Sequence, residues 1–147
     1  MAINLTKNWQ VVASATWNFS GQTIFNIYLD AKYSTRSQPN NTTTVQTRLR
    51  SVINSGYGNG YNYSFSCSYA PTVSGSGLWT LETETITSGE STITHNVDGT
   101  KTISLSANAR INGISMNISM SGDAIIPRID RYPLLLTAPD FSDEDDP

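Results

Sequence analysis

Charge is what this sequence has least of. Only 14% of its residues are charged and the net charge is −3. Lys7, Lys32 and Lys101 are scattered, the arginines form no run, and several acids crowd the last eight residues. With no basic patch evident in sequence, neither nucleic acid nor an anionic membrane is expected as a partner. Cysteine is almost absent: Cys67 stands alone, which excludes an internal disulfide framework and a Cys-based zinc site. Histidine is as scarce, and His95 is the single side chain whose ordinary pKa lies near neutrality. No apolar run is long enough to span a bilayer, and "MAINLTKNWQ" lacks the apolar core of a signal peptide. The expectation is a chain made in a cytoplasm and not secreted by its own sequence. Sequons such as Asn18-Phe19-Ser20 then carry no glycan.

What is abundant is Ser, Thr and Asn, roughly a third of the 147 residues. That excess, with little Ala, Glu, Lys and Leu, suits strands whose outer faces carry hydroxyls and amides. The length suits one domain with a core of its own. Alternation of apolar and polar residues runs through most of the chain. In "NWQVVASATWNFS", Trp9, Val11, Ala13, Ala15, Trp17 and Phe19 share a face; in "TIFNIYLDAKY", Phe25, Ile27, Leu29, Ala31 and Tyr33 do. A loop at Ser20-Gly21-Gln22 pairs Trp17 with Phe25 and Ala13 with Leu29, apolar against apolar. "STRSQPNNT" reads as a loop. "TTVQTRLRSVI" reads as a strand with Val45, Leu49 and Ile53 on one face and Arg48 and Arg50 on the other.

"NSGYGNG" is a second loop. Beyond it Tyr61, Tyr63, Phe65, Cys67 and Tyr69 alternate as one stripe, residues 71 to 77 read as a turn-rich loop, and "LWTLETETIT" as a further strand. Asn96-Val97-Asp98-Gly99-Thr100 has the residues of a type I turn followed by a left-handed glycine. A hairpin there sets Ile93 opposite Ile103. Asn112-Gly113 is a two-residue hairpin signal that sets Ile111 against Ile114, Ala109 against Met116, Ala107 against Ile118 and Leu105 against Met120. The fold expected is all-β: a two-sheet antiparallel β-sandwich, jelly-roll-like, of about eight strands over residues 1–127. Pro127, Pro133 and Pro139 punctuate the chain after Ile126, where residues 128–147 read as an extended acidic linker or the start of a following module, with Leu134 to Leu136 expected to dock on the sandwich or a neighbouring chain.

Four groups of residues are candidates for chemistry. His95 and Asp98 could belong to a triad assembled in space, but an Asx turn explains Asp98 and strand parity explains His95, and no Gly-x-Ser-x-Gly motif supports a nucleophile. Glu82 and Glu84, two apart on one strand face, could meet the carboxyl spacing of a glycoside hydrolase; exposed strand carboxylates are commonplace. The acids from Asp140 onward lack the spacing and glycine of a calcium loop, so no metal and no cofactor is expected. The ligand-binding candidates are Tyr57, Asn59, Tyr61 and Asn62: aromatic faces pack on sugar C–H groups, and amides bond sugar hydroxyls. Trp9, Trp17 and Trp79 are expected to pack in the core.

"STITHNVDGTKTISLSANARING" followed by "SGDAIIPR" resembles modules in tail, baseplate and fibre proteins of siphophages and prophages of Gram-positive bacteria. In such modules a His-Asn-x-Asp-Gly-x-Lys turn precedes a Ser/Ala-rich strand, and a Pro-Arg step closes the sandwich. The resemblance covers the last third well and the first half in texture. It supplies no catalytic residues. It implies a non-enzymatic virion component of the tail, made in the host cytoplasm. It also implies partners among other virion proteins, homo-oligomers such as trimers or rings, and adhesion to bacterial surface glycans. A carbohydrate-binding module is the alternative.

Overall fold

The computed structural model describes residues 2–19, 22–54, 59–80 and 82–131. They form β1 (Ala2–Asn4), β2 (Gln10–Phe19), β3 (Gln22–Ser37), β4 (Thr42–Ile53), β5 (Asn59–Cys67), β6 (Val73–Thr80), β7 (Glu84–Thr94), β8 (Lys101–Ile111) and β9 (Met116–Ile126), with one short 3₁₀ turn at Asn112–Ile114. One sheet runs β1-β9-β8-β5-β6 and the other β2-β3-β4-β7. All pairings are antiparallel except that of β1 with β9. The all-β sandwich is therefore as expected. Its core lies between the sheets, built from the alternating residues of β3, β4, β8 and β9 together with Phe65. Phe25 and Phe65 are fully buried, and each such side chain stabilises the fold by roughly 1.5–3 kcal/mol.

The β2–β3 hairpin has the expected register, Trp17 opposite Phe25 and Ala13 opposite Leu29. Its N-terminal half departs from simple alternation. A bulge between Val11 and Ala13 turns Val12 into the core and leaves Val11 43% exposed. Trp9 and Val11 thus leave the apolar stripe that includes Ala13, Ala15 and Trp17, and Trp9 does not pack in the core. Strand β3 extends into the polar segment read as a loop, through Ser34 to Ser37, because Arg36 and Ser37 still pair with Thr43 and Thr42. The true turn is Gln38 to Asn41, closed by the Asn41 N–H on the Gln38 carbonyl, with Asn41 at φ 56°.

Similarly, residues 73 to 77 are strand, and "LWTLETETIT" is divided between two sheets. Leu78 to Thr80 end β6, while Glu84 begins β7. Hydroxyls on the inner face of the four-stranded sheet bind carbonyls of two links, the β6–β7 crossing at Glu82 and the β5–β6 turn of the opposite sheet at Ser68 and Pro71. Ser51 donates to Glu82 O (2.6 Å), Thr87 to Pro71 O (2.7 Å) and Thr47 to Ser68 O. These carbonyls have no ladder partner, so buried hydroxyls are what satisfies them. Part of the Ser/Thr excess therefore works inside the sandwich.

The final meander keeps the expected dry face: Ile103, Leu105, Ala107, Ala109, Ile111, Met116 and Ile118 are buried. Its register differs by two residues. Ile111 pairs with Met116, Ala109 with Ile118, Ala107 with Met120 and Leu105 with Gly122. Residues 112–115 make a longer loop, in which Ser115, at φ 55°, takes the left-handed position. Gly113 serves a different need: a Cβ there would stand 2.9 Å from the Tyr61 backbone nitrogen, so only glycine lets the start of β5 approach. A slip of two preserves side-chain parity, which is why the apolar pattern could not detect it.

Candidate functional site

The stretch "THNVDGTKT" makes the expected turn and joins different partners. The Gly99 N–H donates to Asn96 O (2.8 Å), the Asn96 N–H to Thr100 O (2.8 Å), and Gly99 sits at φ 91°. Asp98 Oδ1 accepts from the Thr100 N–H (3.0 Å) and hydroxyl (2.6 Å), which holds its carboxyl below the usual range. Yet β7 pairs with β4 and β8 with β5 and β9. Ile93 lies opposite Thr43 and not opposite Ile103. The segment is an arch that carries the chain from one sheet to the other.

His95, 5% exposed, braces this arch. Its Nδ1 stands 2.7 Å from Gly99 O and its Nε2 2.7 Å from Thr43 Oγ1. A carbonyl only accepts, so Nδ1 carries hydrogen, and in the neutral ring Nε2 accepts from the Thr43 hydroxyl. Asn41 Nδ2 adds bonds to His95 O (3.2 Å) and Asn96 O (2.8 Å). Both ring nitrogens are thus engaged in holding structure. Residues 127–131 dock onto the same arch. Ile129 donates its N–H to Gly99 O (3.0 Å) and is 5% exposed, and Arg128 Nε donates to Asp98 O (3.1 Å). Arg36 reaches Pro127 O, Gln38 Nε2 donates to Asp130 O (2.8 Å), and Arg131 reaches Gln38 O.

The ligand candidates are only partly placed. Tyr57 lies outside the described residues, and for Asn59 the described part is its backbone pairing with Thr80. Tyr61 is 55% exposed beside its partner Leu78, 54% exposed. It leaves the stripe of Tyr63 and Phe65 because the ladder is irregular at Asn62, which adopts φ 61°. Tyr63 and Phe65 instead pack on Trp79, with both ring centroids 4.8 Å from the indole. Glu82 and Glu84 do not share a strand face, since Glu82 precedes β7. They are near enough to interact: burial first, then the like charge of Glu82, raises the Glu84 carboxyl. Leu134 to Leu136 and the acidic tail lie outside the described residues.

The arrangement least visible in the sequence is on the outer face of the four-stranded sheet. Asp30 is 1% exposed although it sits on the solvent side of β3. The β3–β4 register puts it beside Arg48 and Arg50. Arg48 Nε donates to its Oδ2 at 2.8 Å, Arg50 Nε to Oδ2 at 2.7 Å, and Arg50 Nη2 to Oδ1 at 3.3 Å. Bonding to Asp30 raises the Arg50 pKa further above its ordinary value. Each guanidinium also lies over a ring, Arg48 over Trp9 and Arg50 over Tyr28, both at 4.3 Å, and Lys32 Nζ is 4.8 Å from the Trp9 centroid.

Beside this cluster Trp9, Gln46, Thr47, Ser88, Gly89 and Glu90 line a groove of about 190 Å³, in which Gln46 Nε2 donates to Glu90 Oε1 (3.2 Å). The cations that read as scattered in sequence are gathered here by strand pairing. The usable signal was the wet-face parity of Asp30, Arg48 and Arg50, but it becomes contact only once the β3–β4 register is known. Comparison with protein-family models, curated proteins and solved structures finds no match to this chain. Fold and surface together define a two-sheet β-sandwich with a braced inter-sheet arch and a cation–aromatic cluster on one outer face.

Proposed function

We propose that this chain is a non-enzymatic structural module of a phage tail, baseplate or fibre, serving assembly and host-surface attachment. One observation carries most weight. The two segments on which the resemblance rests, "THNVDGTKT" and "SGDAIIPR", meet in space, with Arg128 on the Asp98 carbonyl and Ile129 on Gly99. The Pro-Arg step is thus fixed on the sandwich beside the arch, as suits a module joined in series. Mass spectrometry of purified particles encoded with this chain, together with light scattering on the isolated chain, tests the reading. A particle component that forms trimers or rings supports it. A monomer absent from particles refutes it.

A second reading, a carbohydrate-binding module using Tyr57, Asn59, Tyr61 and Asn62, is favoured by the exposed Tyr61–Leu78 pair on β5 and β6. A screen against cell-wall polysaccharides tests it. Binding that survives Tyr57→Ala with Tyr61→Ala would exclude that surface.

A further inference from the structure

We propose that the outer face of the four-stranded sheet is a binding site for an anionic saccharide unit, carrying a carboxylate or a phosphate, seated in the groove beside Trp9 with Arg48 and Lys32 taking its charge. The inference deepens the attachment half of the proposed function and rests on it for its biological setting. Its chemistry rests on the cluster itself.

A carboxylate buried on the solvent side of a sheet is costly unless it is paired and hydrogen-bonded. Asp30 is both, and in accepting from Arg48 Nε it fixes the direction of that guanidinium. Among the described residues no acceptor sits on the Arg48 Nη atoms or on Lys32 Nζ, while the Arg48 side chain remains 24% exposed. Stacking on one indole preorganises both cations, so little side-chain freedom remains to be lost on binding. Arg48 and Arg50 pair with the single carboxylate of Asp30, Lys32 joins them over the Trp9 ring, and Glu90 stands on the groove wall. The excess is positive on a chain whose net charge is −3.

The groove says what kind of anion fits. Gln46, Ser88 and Glu90 offer an amide, a hydroxyl and a carboxylate, which together donate to and accept from the hydroxyls of a sugar, and Trp9 adds aromatic surface to the lining. Its volume of about 190 Å³ is below the ~300–1,000 Å³ of pockets that enclose drug-sized ligands, so a single ring is the natural occupant. A guanidinium Nη edge beside an ammonium suits a carboxylate or a phosphate equally, since both present a pair of anionic oxygens.

The test is titration of the isotope-labelled chain with methyl glucuronide, glucose 6-phosphate and methyl glucoside, following the Trp9 indole N–H by NMR. The expected result is a saturable shift with one or both anionic probes and little with the neutral one. Whichever anion acts identifies carboxylate or phosphate as the preferred source. Arg48→Gln and Lys32→Gln should each weaken binding about tenfold or more, with thermal melts confirming that the variants fold. Arg110→Gln, on the opposite sheet, should leave it unchanged. Equal binding of the neutral sugar, equal loss in Arg110→Gln, or no shift with any probe overturns the proposal. Particle composition is measured separately, so a chain present in particles that binds no anionic sugar would sink this inference and leave the virion reading standing.

Discussion

Replacing His95 isolates what holds the inter-sheet arch. His95→Ala removes two 2.7 Å contacts, to Gly99 O and Thr43 Oγ1, from a side chain that is 5% exposed. A typical internal hydrogen bond contributes roughly 0.5–1.5 kcal/mol net. Both former partners keep another bond, Gly99 O from the Ile129 N–H at 3.0 Å and Thr43 Oγ1 from Arg36 Nε at 3.3 Å. The larger penalty for stranding a buried polar atom is therefore mostly avoided. A void where the ring stood adds a cavity cost, which brings His95→Ala to about 2–4 kcal/mol. His95→Phe keeps most of the volume and loses only the polar contacts, for about 1–3 kcal/mol.

Urea unfolding followed by tryptophan fluorescence gives both values, provided the slope of stability against denaturant is unchanged. A cycle with Thr43→Val then extracts the coupling across the arch, expected at about 0.5–1.5 kcal/mol. If His95→Phe matches the native chain and the cycle shows no coupling, the imidazole is a filler. The arch would then be held by backbone bonds alone, and the assignment of His95 as a brace is wrong.

Three further outcomes follow from the same structure. Gly99→Ala forces an L residue to φ 91° with its Cβ driven into Ile129 O, so it should cost about 2 kcal/mol or more and speed tryptic cleavage at Arg128 and Arg131; unchanged cleavage would show that residues 127–131 do not depend on the arch. Cys67 is buried, and burial pushes its thiol pKa up against a smaller opposing effect of Thr47, so Ellman's reagent should label it only in denaturant; rapid labelling of the folded chain would contradict the packing. Burial and Glu82 raise the Glu84 pKa, so the folded state binds its proton more tightly than the unfolded state does. The stability associated with that group is fully present below the unfolded carboxylate pKa and is lost as pH rises through the folded value. Glu84→Gln should accordingly be the more stable chain at pH 7, with the gain shrinking as pH falls through the raised carboxylate range, and a pH-independent difference in urea midpoints would refute the cause.

The legible parts of this protein were those governed by local pattern. The pairing of Trp17 with Phe25 was readable because a short loop and facing apolar residues leave one register. The dry face of β8 and β9 was readable for the same reason. The bulge at Val12 was not, because Val11-Val12 offers two equivalent apolar residues and only packing chooses which goes inside. Tyr61 escaped its stripe through the irregularity at Asn62, which period-two alternation does not register. The candidate site on the outer sheet was half visible. Parity alone puts Arg48 and Arg50 on the wet face, while Asp30 and Trp9 lie far off in sequence and meet them only through the β3–β4 register and that same bulge.

By itself, then, the order of residues determined most of the extended segments and apolar faces, though not the strand character of residues 34–37 and 73–77, and it determined the local turn at Asn96 to Thr100. Those follow from side-chain alternation and from backbone preferences that span only a few residues. Which sheet each strand joined was decided only by the tertiary structure. The same turn can close a hairpin or bridge two sheets, and the difference lies in which strands β7 and β8 pair with. Thr43 takes Ile93 and the His95 ring, β5 and β9 take β8, and the arch between them is what the whole fold makes of one local turn.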